Sequence, residues 1–239
     1  MMARYVLVHG GFTDGTYWNA VASRLRAAGH AVDVVDRLPS SGPTGAVLGG
    51  RDDDVRAVTA LVERDEEPVV LVSHSGSGVV AAELADHPRI VHTVHVAALV
   101  PPRGASPFGL LQASGARSDW IVPGDDDTFG VAEDLGLLHA VLCDDVDREI
   151  AEPHLARLGR QSADSVVAPA TAPDPTHTVT YVVTERDGTF PPSGQEETAA
   201  RVADHVVRLP SAHQPMVSMP DRLADVLLDT VTAGATPRP

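Results

Sequence analysis

The chain has 239 residues, 43% of them hydrophobic, enough for one large core, and its formal net charge of −15 argues against a nucleic-acid surface, because phosphate contacts need basic side chains. All 18 cationic side chains are arginine, which excludes a Ser-Lys dyad, a lysine Schiff base and a phosphate-loop lysine. A lone cysteine, Cys143, excludes an internal disulfide, no apolar run approaches the roughly 20 residues of a membrane span, and the opening MMARYVLVHGG is not built like a signal peptide. A soluble cytoplasmic protein is the expectation.

Taken along the chain, short β-branched runs alternate with helical stretches. Strands are predicted at Arg4–His9, Ala31–Asp36, Val69–Ser73, Ile90–Leu99, Thr178–Thr184 and Val206–Leu209. Helices are predicted at Tyr17–Ala28, Asp52–Arg64, Gly78–His87, Gln195–His205 and Asp221–Thr232. Six strands with intervening helices point to an α/β fold built on a mostly parallel sheet. The rhythm breaks over residues 101–176, which hold Pro-Pro, the acidic run GDDDTFG, two predicted helices (Leu135–Leu142 and Val146–Leu158) and an Ala/Pro-rich end. A structureless loop of that length is improbable in a compact domain, so this stretch reads as a helical lid inserted after the fourth strand, with residues 1–100 and 177–239 forming the core. The tail AGATPRP reads as disordered.

In open α/β sheets ligands bind at the carboxyl ends of the strands. The first predicted strand ends in His9-Gly10-Gly11-Phe12, a turn from which an early-strand N–H, that of Gly11, can serve an oxyanion. The third ends in VSHSGSG. A nucleophile elbow needs small residues two positions before and after its serine, and of the three serines only Ser75, flanked by Ser73 and Ser77, meets that condition. Gly76, next to Ser75, then offers the second N–H. The fifth strand runs into Glu185-Arg186-Asp187, two carboxylates either of which is placed to orient a histidine; the sixth runs into Ser211-Ala212-His213. Nucleophile, acid and histidine thus follow in the order Ser, Asp, His, each just after its own strand, which is the α/β-hydrolase arrangement.

Here the chain resembles the α/β-hydrolases, and more closely the small plant-type carboxylesterases and hydroxynitrile lyases, which share its opening VLVHGGFTDGTYWNAVASRLRAAGHAV, its SHS elbow and its closing SAHQPMVSMPDRLADVL. The resemblance implies Ser75 as nucleophile, His213 as general base, Asp187 rather than Glu185 as the orienting acid, and the amides of Gly11 and Gly76 as oxyanion donors. Phe12 and His74, their neighbours, are expected to line the substrate site. The implied activity is hydrolysis of a small to medium ester through an acyl-enzyme, with no cofactor or metal, a small-molecule ester as the partner, and neither nucleic acid nor membrane.

Three other functions are compatible with this fold. The hydroxynitrile lyases of the family use a Lys beside the catalytic His and a Thr after the first-strand His; here those places hold Gln214 and Gly10, leaving Arg157 or Arg160 as substitutes for the missing cation. A thioesterase or cyclase would keep the triad and pass the acyl group to another acceptor. A non-hydrolytic binding protein would use the same fold as a receptor. His92 and His95, three apart in a strand, face opposite sides and cannot share a metal; Asp125, Asp126 and Asp127 read as a solvated acidic turn.

Overall fold

The computed structural model describes residues 2–124 and 126–233. Its main sheet contains the six anticipated strands: β1 (Arg4–Val8), β2 (Ala31–Val34), β4 (Val69–His74), β5 (Ile90–Val96), β9 (Thr178–Thr184) and β10 (His205–Leu209). They lie in the order β10-β9-β5-β4-β1-β2, every pair parallel. The crossovers are α1 (Asn19–Ala27), α2 (Arg51–Val62), α3 (Gly78–Glu83) and α8 (Pro192–Val202), and α9 (Pro215–Ser218) and α10 (Pro220–Ala233) follow the last strand.

Alternation along β1 explains why the sheet must be covered on both sides. Tyr5 and Leu7 point into a core with Trp18, Val21 and Leu25 of the α1 side and Leu223 and Leu227 of α10. Val6 and Val8 point the other way, onto Val58 and Val62 of α2 and Val79 and Val80 of α3. A strand buried on both faces reads as an unbroken aliphatic run, and YVLV and VVLV are such runs. Helix α3 is shorter than the sequence suggests: after Glu83 the amides of Leu84 and Ala85 turn back to the carbonyls three residues earlier, closing the helix before Pro88 is reached.

The insertion carries helices α4 (Pro107–Ala113), α5 (Leu135–Leu142), α6 (Arg148–Leu155) and α7 (Ala163–Val167), and with them a small antiparallel sheet that the sequence reading did not anticipate. Strands β6 (Ile121–Pro123), β7 (Thr128–Val131) and β8 (Arg160–Ser162) of the insertion join β3 (Ser41–Gly42) of the core, in the order β3-β8-β7-β6. Three-residue strands carry too little alternation to be recognised by pattern. Trp120, Leu138, Val141, Leu142 and Leu155 pack with Phe12 of the core, so an apolar cluster as well as the strand pairing ties the insertion to the β1 loop. Asp126 pairs with Arg160, while Asp125 and the AGATPRP tail beyond Ala233 lie outside the described residues.

Candidate active site

The sheet delivers the named residues to its carboxyl edge. At the end of β4 the chain reverses from strand into a short 3-10 turn, and Ser75, at its start, has φ 50°. A serine in the left-handed region is held there by its surroundings, as a nucleophile elbow requires. Neither flanking serine obstructs the turn. The Ser73 hydroxyl is hydrogen-bonded to His95 Nδ1 at 2.8 Å, and Ser77 Oγ donates to the His74 carbonyl at 2.9 Å. The close approach usually made at a flanking glycine falls one residue later, at Gly78, where a Cβ would lie 2.7 Å from the Leu99 carbonyl oxygen.

Ser75 Oγ donates to His213 Nε2 at 2.9 Å, and His213 Nδ1–H donates to Asp187 Oδ2 at 2.7 Å. His213 and Asp187 are 2% and 6% exposed, so both bonds lie in a medium poor in water. The carboxylate of Asp187 is saturated. Its Oδ1 accepts the Thr189 and Phe190 amides at 2.8 Å each, and its Oδ2 also accepts Thr184 Oγ1 at 2.7 Å and Gln195 Nε2 at 2.9 Å. Glu185, the alternative acid, is exposed and outside this network; of the two carboxylates the structure brings only Asp187 to His213.

Gly11 and Gly76 come together on the other side of Ser75: a Cβ on Gly76 would stand 3.3 Å from the Gly11 amide nitrogen. The loop that carries Gly11 is pinned by Gln161 of β8, whose Oε1 accepts the Phe12 amide at 3.2 Å and the Ser41 hydroxyl at 2.7 Å. Phe12 itself, at φ 63°, turns its ring edge-on to Trp120 with centroids 5.6 Å apart.

His74 borders the same cavity, yet its bonding is directed at the protein. Its Nε2–H donates to the His213 carbonyl at 2.9 Å, and the two rings lie 4.8 Å apart. Burial holds the His74 imidazole well below its ordinary range, so it is neutral. Gly10 is the counterpart of this arrangement, because a Cβ there would sit 2.7 Å from His74 Nδ1. A threonine at that place does not fit.

Ser75 and His213 open into a cavity of about 60 Å³ walled by Phe12, Phe108, Trp120, Phe129, Leu142 and Phe190. Among the described residues no arginine lines it: Arg157 is paired with Asp14, and Arg160 with Asp126 and Thr128. Gln214 is the one side chain of the wall whose buried acceptor, Oε1, has no partner among the described residues. Cys143 is buried nearby in the insertion, its thiol pushed up to about 12 by desolvation and therefore inert as a nucleophile. Sequence reasoning missed Gln161, Thr184, Thr189 and Gln195. Gln161 reaches the Phe12 amide only because the fold brings β8 back to the β1 loop, whereas Thr184, Thr189 and Gln195 lie within eight residues of Asp187 and meet its carboxylate only through the conformation of the turn between β9 and α8.

A family model described as the alpha/beta hydrolase family matches residues 5–226. A protein of Phoma sp. named "Probable hydrolase R7" is 28% identical over 242 residues, 94% of this chain and 96% of that protein. Methylesterase 7 of Arabidopsis thaliana is 32% identical over 121 residues, covering 46% of this chain and 45% of its own. The crystal structure of a pyrethroid hydrolase superposes with a TM-score of 0.84 over 98% of each chain, at 23% identity. The chain belongs to the α/β-hydrolase family, and with it to the hydrolase class of enzymes.

Proposed function

We propose that the protein is a serine carboxylic ester hydrolase acting on a small to medium, uncharged, apolar ester. The observation that carries this reading is the hydrogen-bonded series Ser75, His213, Asp187, opening into an aromatic-walled cavity that Gly11 and Gly76 also line. His213 Nε2 takes the Ser75 proton as Oγ bonds to the ester carbonyl carbon, and the two amides hold the oxygen that becomes negative. Collapse expels the alcohol, which leaves with the proton from His213. Water, deprotonated by the same nitrogen, then cleaves the acyl-Ser75 bond, releasing the carboxylic acid and restoring the serine. Asp187 keeps the proton of His213 on Nδ1 throughout, and His74 fixes the main chain that carries the ring. Every step uses protein groups and water.

The wall supports an apolar substrate, since among the described residues no arginine, aspartate or glutamate lines it. Its limited free volume supports a lid role for the insertion: Phe108, Trp120, Phe129 and Leu142 have to move for a substrate to enter. A lyase reading fails on charge. Cyanohydrin cleavage develops an anion that the related lyases stabilise with a lysine; Gln214 is neutral, and both candidate arginines are committed to carboxylates elsewhere. Purified protein should therefore hydrolyse p-nitrophenyl acetate or butyrate and release no cyanide from mandelonitrile above the spontaneous rate. Enzyme-dependent cyanide release without esterase turnover would overturn the proposal.

A further inference from the structure

Behind the elbow, between α3 and α8, lies a second cavity of about 390 Å³, larger and more polar than the one at Ser75. Its apolar wall is made of small residues, Ala81, Ala82 and Ala85 with Val100 and Val202, which leave the room unfilled. Two exposed arginines line it on the solvent side. Arg103 Nη2 donates to the Ala172 carbonyl at 2.8 Å and Arg201 Nη2 to the Val100 carbonyl. In a chain with 33 acidic residues against 18 arginines, these two guanidiniums, among the described residues, meet no carboxylate in an ion pair. Each keeps N–H donors for another acceptor.

The charge balance is narrow. Asp174 lines the same cavity, so the two guanidiniums outnumber the carboxylate by one; His177, which with His95 makes up the titratable rest of the lining, has its Nε2 hydrogen-bonded to Thr93 Oγ1 at 2.7 Å. His95 adds none, because burial lowers it to about 3. The geometry points to a second binding site here, for a small organic monocarboxylate whose apolar body rests on the alanine wall and whose carboxylate meets Arg103 and Arg201. A dianionic phosphate matches neither the single surplus charge nor the alanine wall.

Such a ligand has the chemistry of the acid that ester cleavage releases, an identification that rests on the function proposed above. The floor of the cavity touches the elbow: His95 lines it and is hydrogen-bonded to Ser73, two residues before Ser75.

The test is calorimetric titration of benzoate, benzamide and inorganic phosphate into protein whose Ser75 has first been blocked with a fluorophosphonate, so that the first cavity is filled. One benzoate site is expected, with benzamide and phosphate binding at least about tenfold more weakly, as loss of a charge-assisted hydrogen bond implies. Arg201→Gln should weaken benzoate by a similar factor. Ala85→Leu, which fills the cavity and leaves both arginines in place, should do the same with an unchanged thermal midpoint. Benzoate binding unchanged in both variants, no binding to blocked protein, or equal binding of benzamide or phosphate would overturn the site. Failure of the fluorophosphonate to react is a separate result that strikes the esterase reading alone; the two variants, titrated unblocked, still decide the second cavity.

Discussion

Asp187 shows what a single residue of this site requires. Five hydrogen bonds converge on its carboxylate, two from the backbone just ahead and three from Thr184, Gln195 and His213. Asparagine keeps the volume but loses one acceptor oxygen, so it turns an amide toward donors and upsets the tautomer of His213. Asp187→Asn should lower turnover by about a thousandfold to ten-thousandfold, by analogy with the serine-protease template, with Glu185→Gln close to wild type. Initial rates on a p-nitrophenyl ester decide the order, and a severe loss in Glu185→Gln alone would move the role to that residue. At this scale much was legible. The spacing of small residues singled out Ser75, and the position of each acid or histidine just past a strand narrowed the rest. The choice between Glu185 and Asp187 was not readable from propensity, because it depends on Thr189 and Phe190 curling back over the carboxylate. Gln195 was invisible for the same reason: it reaches Asp187 only because α8 folds back against β9.

Among the elements, the six core strands were readable because each is a dense aliphatic run flanked by turn residues, and α5 because its apolar stretch follows the capping Asp134. The antiparallel strands of the insertion were not. β6 and β7 are three and four residues long, too short for a period-2 alternation to stand out, and the sequence between them is an acidic turn. The consequence is mechanical: the insertion is fastened through β8 and Gln161 to the very loop that carries Gly11. Trp120 of the insertion lines the cavity, edge-on to Phe12. Trp120→Ala should widen the cavity and shift preference toward bulkier esters, raising kcat/KM for long or aromatic acyl groups relative to acetate by about tenfold, with a stability cost of roughly 3 to 5 kcal/mol. The ratio of kcat/KM values across an acyl series is the readout, and an unchanged ratio in a folded variant would remove Trp120 from the substrate wall.

For the molecule as a whole, the sheet is lined with buried histidines that are held neutral. Burial lowers His9 and His92 to about 4 and His95 to about 3. The unfolded chain takes up these protons near 6.5 and the native protein only much lower, so stability falls as pH drops from 6.5 toward 4. Asp54, raised to about 6 by burial, works in the opposite direction, since the native state keeps its proton as pH falls, but it stands alone against these three histidines and His74, which burial also holds well below its ordinary range. Between pH 6.5 and 5 each histidine costs up to about 2 kcal/mol, so the thermal midpoint should fall on the order of 10 °C between pH 7 and pH 5. A midpoint that holds constant over that interval would mean that these histidines are not kept neutral by the fold. The same sheet that buries them carries Ser75, Asp187 and His213 to one edge, a convergence that under the proposed function makes Ser75 alone the nucleophile. The most direct measurement is mass spectrometry of the intact and digested protein after treatment with a fluorophosphonate. A single adduct on Ser75, formed in step with loss of esterase activity and absent from Ser75→Ala and from heat-unfolded protein, is the predicted result; an adduct on Ser73 or Ser77, or full activity in unlabelled Ser75→Ala, would contradict it.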